Sequence, residues 1–455
     1  MGSETSSTTP LLNAFRRPRS PAIQGTGLEP WFQSFLTLCG CLIPIAVCWY
    51  LGSPCRDFTV LSPCLAPLFS YQDVEFTHPD VVVGVVVLAV LARCLVKGFH
   101  PLPKALVIPF ALFFISTMLS TLFAIDKVHG IAALIQELEF IAIAWAFPLL
   151  TQPRTFLRIV HVILVFFIFQ SLVAAWQFIV LDDWFPTGTF AVHQQYAFFT
   201  SFAAVMAFAL VANATGAKKQ RYLIALAILL MGSLLGQERA PWLSFLIGAV
   251  AVVWYSGKKK RKRLILYCGA TALGAIILVA TVPKLRDVTI SRFSEAQSDT
   301  ANQNSLLSRL VLWKVASDLF LQNPILGIGP KNFQMVVSHY ASLGEMQGYS
   351  KIDPHNVWIG TLAEQGIVGF VTYLVLCIAV FKLATTHLRK ASLTGLPRSL
   401  CLVYVAYFFF WLTMSYPFFQ KGAGHIDFLL IGLMIGLGQS ISAQTAFPSR
   451  ELGSR

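Results

Sequence analysis

Residues 240–282 read APWLSFLIGAVAVVWYSGKKKRKRLILYCGATALGAIILVATV. Two apolar stretches, 240 to 256 and 264 to 282, flank a cationic run from Lys258 to Arg263. A hydrocarbon core roughly 30 Å thick is crossed by about 20 mostly apolar helical residues, so the pair reads as two membrane spans joined by a basic turn. By the positive-inside rule that turn faces the cytoplasm. A nucleic-acid patch is the other reading of six clustered cations. Hemmed in by spans, the run suits a topology anchor beside anionic lipid better.

Outward from this pair the same pattern repeats. With 56% apolar and only 12% charged residues, the chain is too oily for a soluble protein of two or three domains. Further apolar stretches lie at roughly 31 to 51, 80 to 97, 105 to 124, 131 to 150, 157 to 181, 197 to 213, 221 to 236, 356 to 382, 400 to 419 and 426 to 444. The predicted fold class is an all-α integral membrane protein of about twelve transmembrane helices. The net charge of +13 is explained by placement. Arg16, Arg17, Arg19; Arg93, Lys97, Lys104; Arg154, Arg158; Lys218, Lys219, Arg221; Lys258 to Arg263; Lys382, Arg389, Lys390, Arg398; and Arg450, Arg455 fall in alternate connections and hold 23 of the 34 Lys and Arg. Both termini are therefore expected in the cytoplasm.

This divides the chain into a disordered cytoplasmic tail (1–30, rich in Ser, Thr and Pro, with no cleaved signal peptide expected), spans one to nine (31–282), an outer helical segment (283–355), spans ten to twelve (356–444) and a second cytoplasmic tail (445–455). Most of the nine cysteines fall within spans as small packing residues. Cys55 and Cys64 lie in a predicted outer loop, 52 to 79, where a disulfide between them stays open.

The long segment from Pro283 to His355 breaks the rhythm of short loops, and long ordered loops tend to be functional. It gathers Lys284, Arg286, Arg292, Arg309, Lys314, Lys331 and Lys351, which points to an anionic ligand. Within it, Ser305 to Gln322 predicts one amphipathic helix, with Leu306, Leu307, Leu310, Val311, Leu319 and Phe320 at helical spacing and Asn323-Pro324 ending it. Such a helix would lie along the bilayer surface. Arg309, Trp313 and Ala316 share a face, suited to a polar headgroup or sugar, or simply to an interfacial Trp beside a solvated Arg.

Three polar groups fall at the outer face. Arg239, in Gly236-Gln-Glu-Arg-Ala-Pro-Trp242, sits at the hydrocarbon edge, where a charge has a partner such as Glu238, a function, or a snorkelling conformation. In Asp353-Pro-His-Asn356, Asp353 or Asn356 caps the tenth span and His355 stands at its positive end, where an imidazole can accept a proton and helix amides welcome phosphate. A structural His at a helix start is the plainer alternative. The glycines of Asn323-Pro-Ile-Leu-Gly-Ile-Gly-Pro-Lys-Asn332 match no phosphate-loop order, and a helix-stopping turn accounts for them.

Arg239 at a span junction, Ser308-Arg-Leu-Val-Leu-Trp313, Asn323 to Phe333 and His355-Asn-Val-Trp-Ile-Gly-Thr-Leu-Ala-Glu-Gln-Gly-Ile-Val-Gly369 together resemble the bacterial O-antigen ligase and O-antigen polymerase superfamily. The resemblance is strongest over 305 to 370. It implies an inner-membrane glycosyltransferase that takes a glycan from undecaprenyl pyrophosphate at the periplasmic face. Ligases pass it to lipid A-core in lipopolysaccharide biosynthesis, and polymerases to a second lipid-linked repeat unit; ligase is the preferred reading. Carried over by motif, His355 is the implied catalytic residue, and Arg239 and Arg309 are the implied pyrophosphate ligands. Arg292, Trp313, Lys331 and Asn356 are expected lining residues, joined by His193 and Gln194 because the 187 to 196 loop resembles the family's fifth-to-sixth span loop. Arginines that neutralise the leaving group require no metal, cofactor or ATP, and a single in-line displacement inverts the anomeric carbon.

A solute transporter is the competing class. It should show internal repeats, broken helices or ionisable residues near mid-membrane. The sequence offers Glu137 and Glu139 in the fourth span, with Lys127 or Arg239 as candidate partners near the outer edge. A purely structural scaffold leaves the outer cations without a purpose.

Overall fold

The computed structural model describes residues 28–50, 69–71, 74–99, 102–150, 152–190, 193–294, 305–342, 353–389, 395–412 and 423–446. Cys55, Cys64, Lys351 and most of both tails lie outside them. In chain order come α1 (Leu28–Tyr50), a minimal hairpin of β1 (Phe69–Tyr71) and β2 (Val74–Phe76), α2 (His78–Lys97), α3 (Lys104–Leu122), α4 (Lys127–Ala146), α5 (Pro153–Ile179), α6 (His193–Val211), α7 (Gly216–Leu235), α8 (Arg239–Tyr255), α9 (Lys258–Thr281), α10 (Pro283–Ser294), α11 (Ser305–Gln322), α12 (Phe333–Ser342), α13 (Val357–Arg389), α14 (Gly395–Leu412) and α15 (Ala423–Ala446). The strands pair antiparallel, with Phe69 opposite Phe76.

Over the described residues, each of the twelve apolar stretches coincides with a helix. Among the described residues, α1 to α6, α9 and α13 are long and apolar enough to cross a membrane; α8, α14 and α15 hold shorter apolar helices. The remaining one, α7, opens on Lys218, Lys219 and Arg221. Burial grades the helices by position. Every residue of α6 from Tyr196 to Val211 is buried, packed among α5, α7, α8 and α14. In contrast, α9 buries Leu264 alone and exposes Leu266, Leu273, Ile276 and Ile277, as a lipid-facing helix does. Lipid tails are as apolar as leucine, so helix association in a bilayer rests on close packing and hydrogen bonds. Around α6 these include the Tyr196 hydroxyl donating to the Gly232 carbonyl at 3.0 Å and Trp242 Nε1 donating to the Ser233 carbonyl at 2.9 Å.

The joint that matters most is a break in α13. Gly366 has φ 64° and ψ −165°, open essentially to glycine alone, so the helix is interrupted there. Four backbone groups near the break pair instead with the turn after α11. Ile367 N–H donates to the Pro324 carbonyl (2.9 Å) and Val368 N–H to Ile325 (3.3 Å), while the Ala363 and Glu364 carbonyls accept from Ile328 (3.1 Å) and Gly329 (2.9 Å). Unpaired backbone in an apolar setting is costly, and this exchange satisfies the break entirely within protein. A Cβ on Gly327 would lie 2.3 Å from the Glu364 carbonyl carbon, and one on Gly366 2.3 Å from the Ile325 oxygen. The turn's glycines therefore serve backbone-to-backbone contact rather than phosphate. A broken helix is one of the marks expected of a transporter, and here the interruption is filled by the 324–329 backbone.

Ser120 Oγ, in the last turn of α3, donates to the Leu326 and Glu364 carbonyls at 2.7 and 3.0 Å. The first turns of α13 therefore extend past the end of α3. The helix from Ser305 to Gln322 has its predicted bounds; of the predicted stripe Leu319 is buried and Val311 packs beside it, joined by Leu312, Val315 and Ala316 against Ile328, Phe333, Val337 and Ala363, while Leu310 is exposed. Docking on α13 and its turn selects that face.

Candidate functional site

The first group of site residues is built where α11 meets the start of α13. Trp313 Nε1 donates to the Pro354 carbonyl at 2.9 Å, so the residue preceding His355 is tied to α11. Arg309 lies one turn earlier on the same face and is half-buried. Asn356 is the cap of α13, its Oδ1 accepting from Trp358 N–H at 3.0 Å and Ile359 N–H at 3.3 Å. Asp353 has the other task. Its Oδ1 accepts from the His355 backbone N–H at 2.7 Å and lies 3.1 Å from His355 Nδ1. A proton on Nδ1 satisfies that contact and leaves Nε2 as the basic nitrogen. His355 adopts φ 49°, an uncommon left-handed conformation for a non-glycine residue, and its side chain is 35% exposed.

The second group surrounds the start of α8. Gln237, at φ 53° and buried, donates from Nε2 to the Trp184 carbonyl at 2.8 Å. Glu238 stands at the N-cap, and its Oε1 lies 3.1 Å from His193 Nε2 at the start of α6. The carboxylate expected beside Arg239 thus engages His193. Arg239 is the first residue of α8 and half-buried, placed among helix N-terminal amides that suit an anion. Gln194 is exposed one residue after His193.

Several cations of the 283–355 segment have structural duties. Lys284 Nζ donates to the Phe178 carbonyl (2.9 Å) and to Asp182 Oδ1 (2.6 Å), and sits over the Phe178 ring, fastening α10 to the end of α5. Arg286 pairs with Asp287 at 3.1 Å. Lys331, in a left-handed conformation at φ 61°, donates to the buried Gln136 Oε1 of α4, which ties it to the bundle. Beside it, Asn332 Oδ1 accepts from the Asp126 N–H (2.6 Å) and its Nδ2 donates to the Asp126 carbonyl (3.2 Å). Arg292 lies on α10, but its side chain is outside the described residues. Lys314 is exposed on α11.

Two features escaped sequence reasoning. The Trp313 link to Pro354 spans 41 residues and has no local signal. A cluster of Asp80, Glu139 and His425 draws on three distant helices, and Glu139 lies beside His425 rather than beside Lys127 or Arg239 as expected.

A helical bundle with several membrane-crossing lengths and a polar, arginine- and histidine-bearing junction defines the class: a multi-pass membrane protein. Residues 224–374 match the family model described as O-antigen ligase, a match that supports the O-antigen ligase and polymerase superfamily. The match covers about a third of the chain and contains Arg239, Arg309 and His355. No curated protein matches the chain. The family match supports activity of the O-antigen ligase or polymerase type.

Proposed function

We propose that this chain transfers a glycan from undecaprenyl pyrophosphate to a sugar hydroxyl at the periplasmic face of the inner membrane, as an O-antigen ligase acting on lipid A-core. The observation that carries the reading is the family match enclosing Arg239, Arg309 and His355, together with the Trp313 to Pro354 bond that seats Arg309's helix beside His355. In this reading twelve helices cross the bilayer with both termini in the cytoplasm. The connections 122–127, 179–193 and 235–239 and the start of α13 then share the periplasmic end.

The acceptor oxygen attacks the anomeric carbon as its proton passes to His355 Nε2, and the bond to the pyrophosphate oxygen breaks with inversion. Arg239 and Arg309 hold the leaving pyrophosphate in charge-assisted, forked contacts and stabilise charge as it develops. Asp353 orients the imidazole. Asn356 and Trp313 support it, and His193 and Gln194 lie by the Arg239 end of the site. The activated donor carries its own free energy, so no ATP, metal or other cofactor enters the step.

In cells lacking the native gene, His355→Ala, Arg239→Ala and Arg309→Ala should each reach the membrane at normal level yet fail to attach glycan. Full attachment by His355→Ala overturns the mechanism. A gel ladder that retains one repeat unit on lipid A identifies a polymerase; loss of all long glycan supports the ligase.

A further inference from the structure

We propose that Asp80, Glu139 and His425 form a divalent transition-metal site inside the helical bundle, independent of the glycan-transfer site. Asp80 is in the first turn of α2, Glu139 midway along α4 and His425 near the start of α15. One carboxylate oxygen from each acid and one imidazole nitrogen lie within 4.8 Å of one another. His425 Nε2 is 3.6 Å from Asp80 Oδ1 and 3.8 Å from Glu139 Oε2. These separations exceed the hydrogen-bond range of about 2.7–3.2 Å. They lie near the edge of about 3.4 Å that separates two ligands on a tetrahedral ion with bonds of about 2.1 Å.

Charge and burial favour an ion over a bare triad. The side chains of Asp80 and His425 are fully buried and that of Glu139 is 19% exposed. Two carboxylates and an imidazole drawn together from three helices place like-charged oxygens close to one another in a largely buried setting. A divalent cation brings the three groups to neutrality. The donor set, one nitrogen and two carboxylate oxygens, suits zinc, manganese, iron(II) or cobalt(II).

The surroundings hold the donors in place. Asp80 Oδ2 accepts from the Thr77 N–H (2.6 Å) and Thr77 Oγ1 (2.9 Å), turning Oδ1 toward the imidazole. The Phe140 ring meets the His425 ring edge-on at 5.2 Å. Gly424, whose Cβ would fall 2.3 Å from Phe140, allows that approach. A shared ion would join α2 and α15 to α4, the helix whose Gln136 anchors Lys331.

The test is metal content of the full-length protein, purified without chelator and measured by elemental mass spectrometry, with cobalt(II) added to a second sample. About one equivalent of a transition metal per chain, or a visible d–d absorption with cobalt, is expected of an occupied site. Asp80→Asn, Glu139→Gln and His425→Gln should each lower occupancy or cobalt affinity at least about tenfold. Asp427→Asn, a buried carboxylate two residues from His425, should retain the metal. Wild-type protein with neither bound metal nor a cobalt spectrum overturns the proposal whether or not the variants fold. Retention of full metal by a monodisperse His425→Gln protein does the same. Neither readout depends on glycan transfer.

Discussion

The indole of Trp313 donates to the carbonyl of Pro354 at 2.9 Å, and His355 is the next residue. Trp313→Phe keeps the ring and removes the donor. A hydrogen bond contributes about 1 kcal/mol net, which converts to about fivefold in rate if it is felt at the imidazole. Initial rates of glycan transfer should fall by about that factor with the membrane level unchanged. An unaltered rate would show that α11 does not position His355.

Asp353 accepts the His355 backbone N–H and faces Nδ1. In Asp353→Asn the amide can still accept the backbone bond, while its NH2 can face Nδ1 and move the imidazole proton to Nε2. The base is then blocked without loss of shape. The expected fall in kcat approaches that of His355→Ala, about 10²- to 10⁴-fold, with KM for the lipid donor little changed. An equal loss through KM alone would make Asp353 a binding residue instead.

Arg239→Lys and Arg309→Lys each keep a charge but give up the planar fork. One charge-assisted hydrogen bond lost is about 1.5–3 kcal/mol, so kcat/KM should fall at least about tenfold in each variant. Lys284→Met provides the contrast, because Lys284 is bound to Phe178 and Asp182 and should leave transfer intact. A large transfer defect in Lys284→Met would return that lysine to the ligand site.

Much of this was legible because it is local. Apolar length located the helices, Asn323-Pro324 stopped α11, and the Asp353-Pro-His-Asn356 string contained its own cap. The division of labour between Asp353 and Asn356 was open in sequence and is settled by which backbone N–H each oxygen accepts. What the sequence hid is long-range. Leu310 fits a helical stripe as well as Leu312 does, and only docking against Ala363 chooses between them. Gly366 looks like any glycine in an apolar helix until the 324–329 backbone pairs across it. Asp80, Glu139 and His425 have no common spacing at all.

That pairing makes Gly366 and Gly327 sensitive positions. Gly366→Ala forces a Cβ into a left-handed conformation and to 2.3 Å from the Ile325 oxygen. The strain alone is about 1–3 kcal/mol, with the backbone clash added. Detergent-solubilised protein should inactivate at a clearly lower temperature, with Gly327→Ala similar and the pair less than additive, since both open one joint. Wild-type thermal behaviour in either variant would mean that the α13 break relaxes freely.

Asp126 caps α4, its Oδ1 accepting the Val128 N–H at 2.7 Å, with His129 Nδ1 3.1 Å from Oδ2. The backbone bond from Val128, aided by His129, holds its carboxyl below the ordinary value. A carboxylate whose folded value is depressed contributes stability above its unfolded value, and that contribution is lost as pH falls through the folded one. Asp126→Ala removes the cap but keeps the backbone contacts to Asn332, and should cost about 1 kcal/mol at neutral pH. The stability gap between the two proteins should therefore be full at pH 7 and narrow through the acidic carboxylate range. A gap constant from pH 7 down to pH 3 would show that the carboxylate charge is not what stabilises the start of α4.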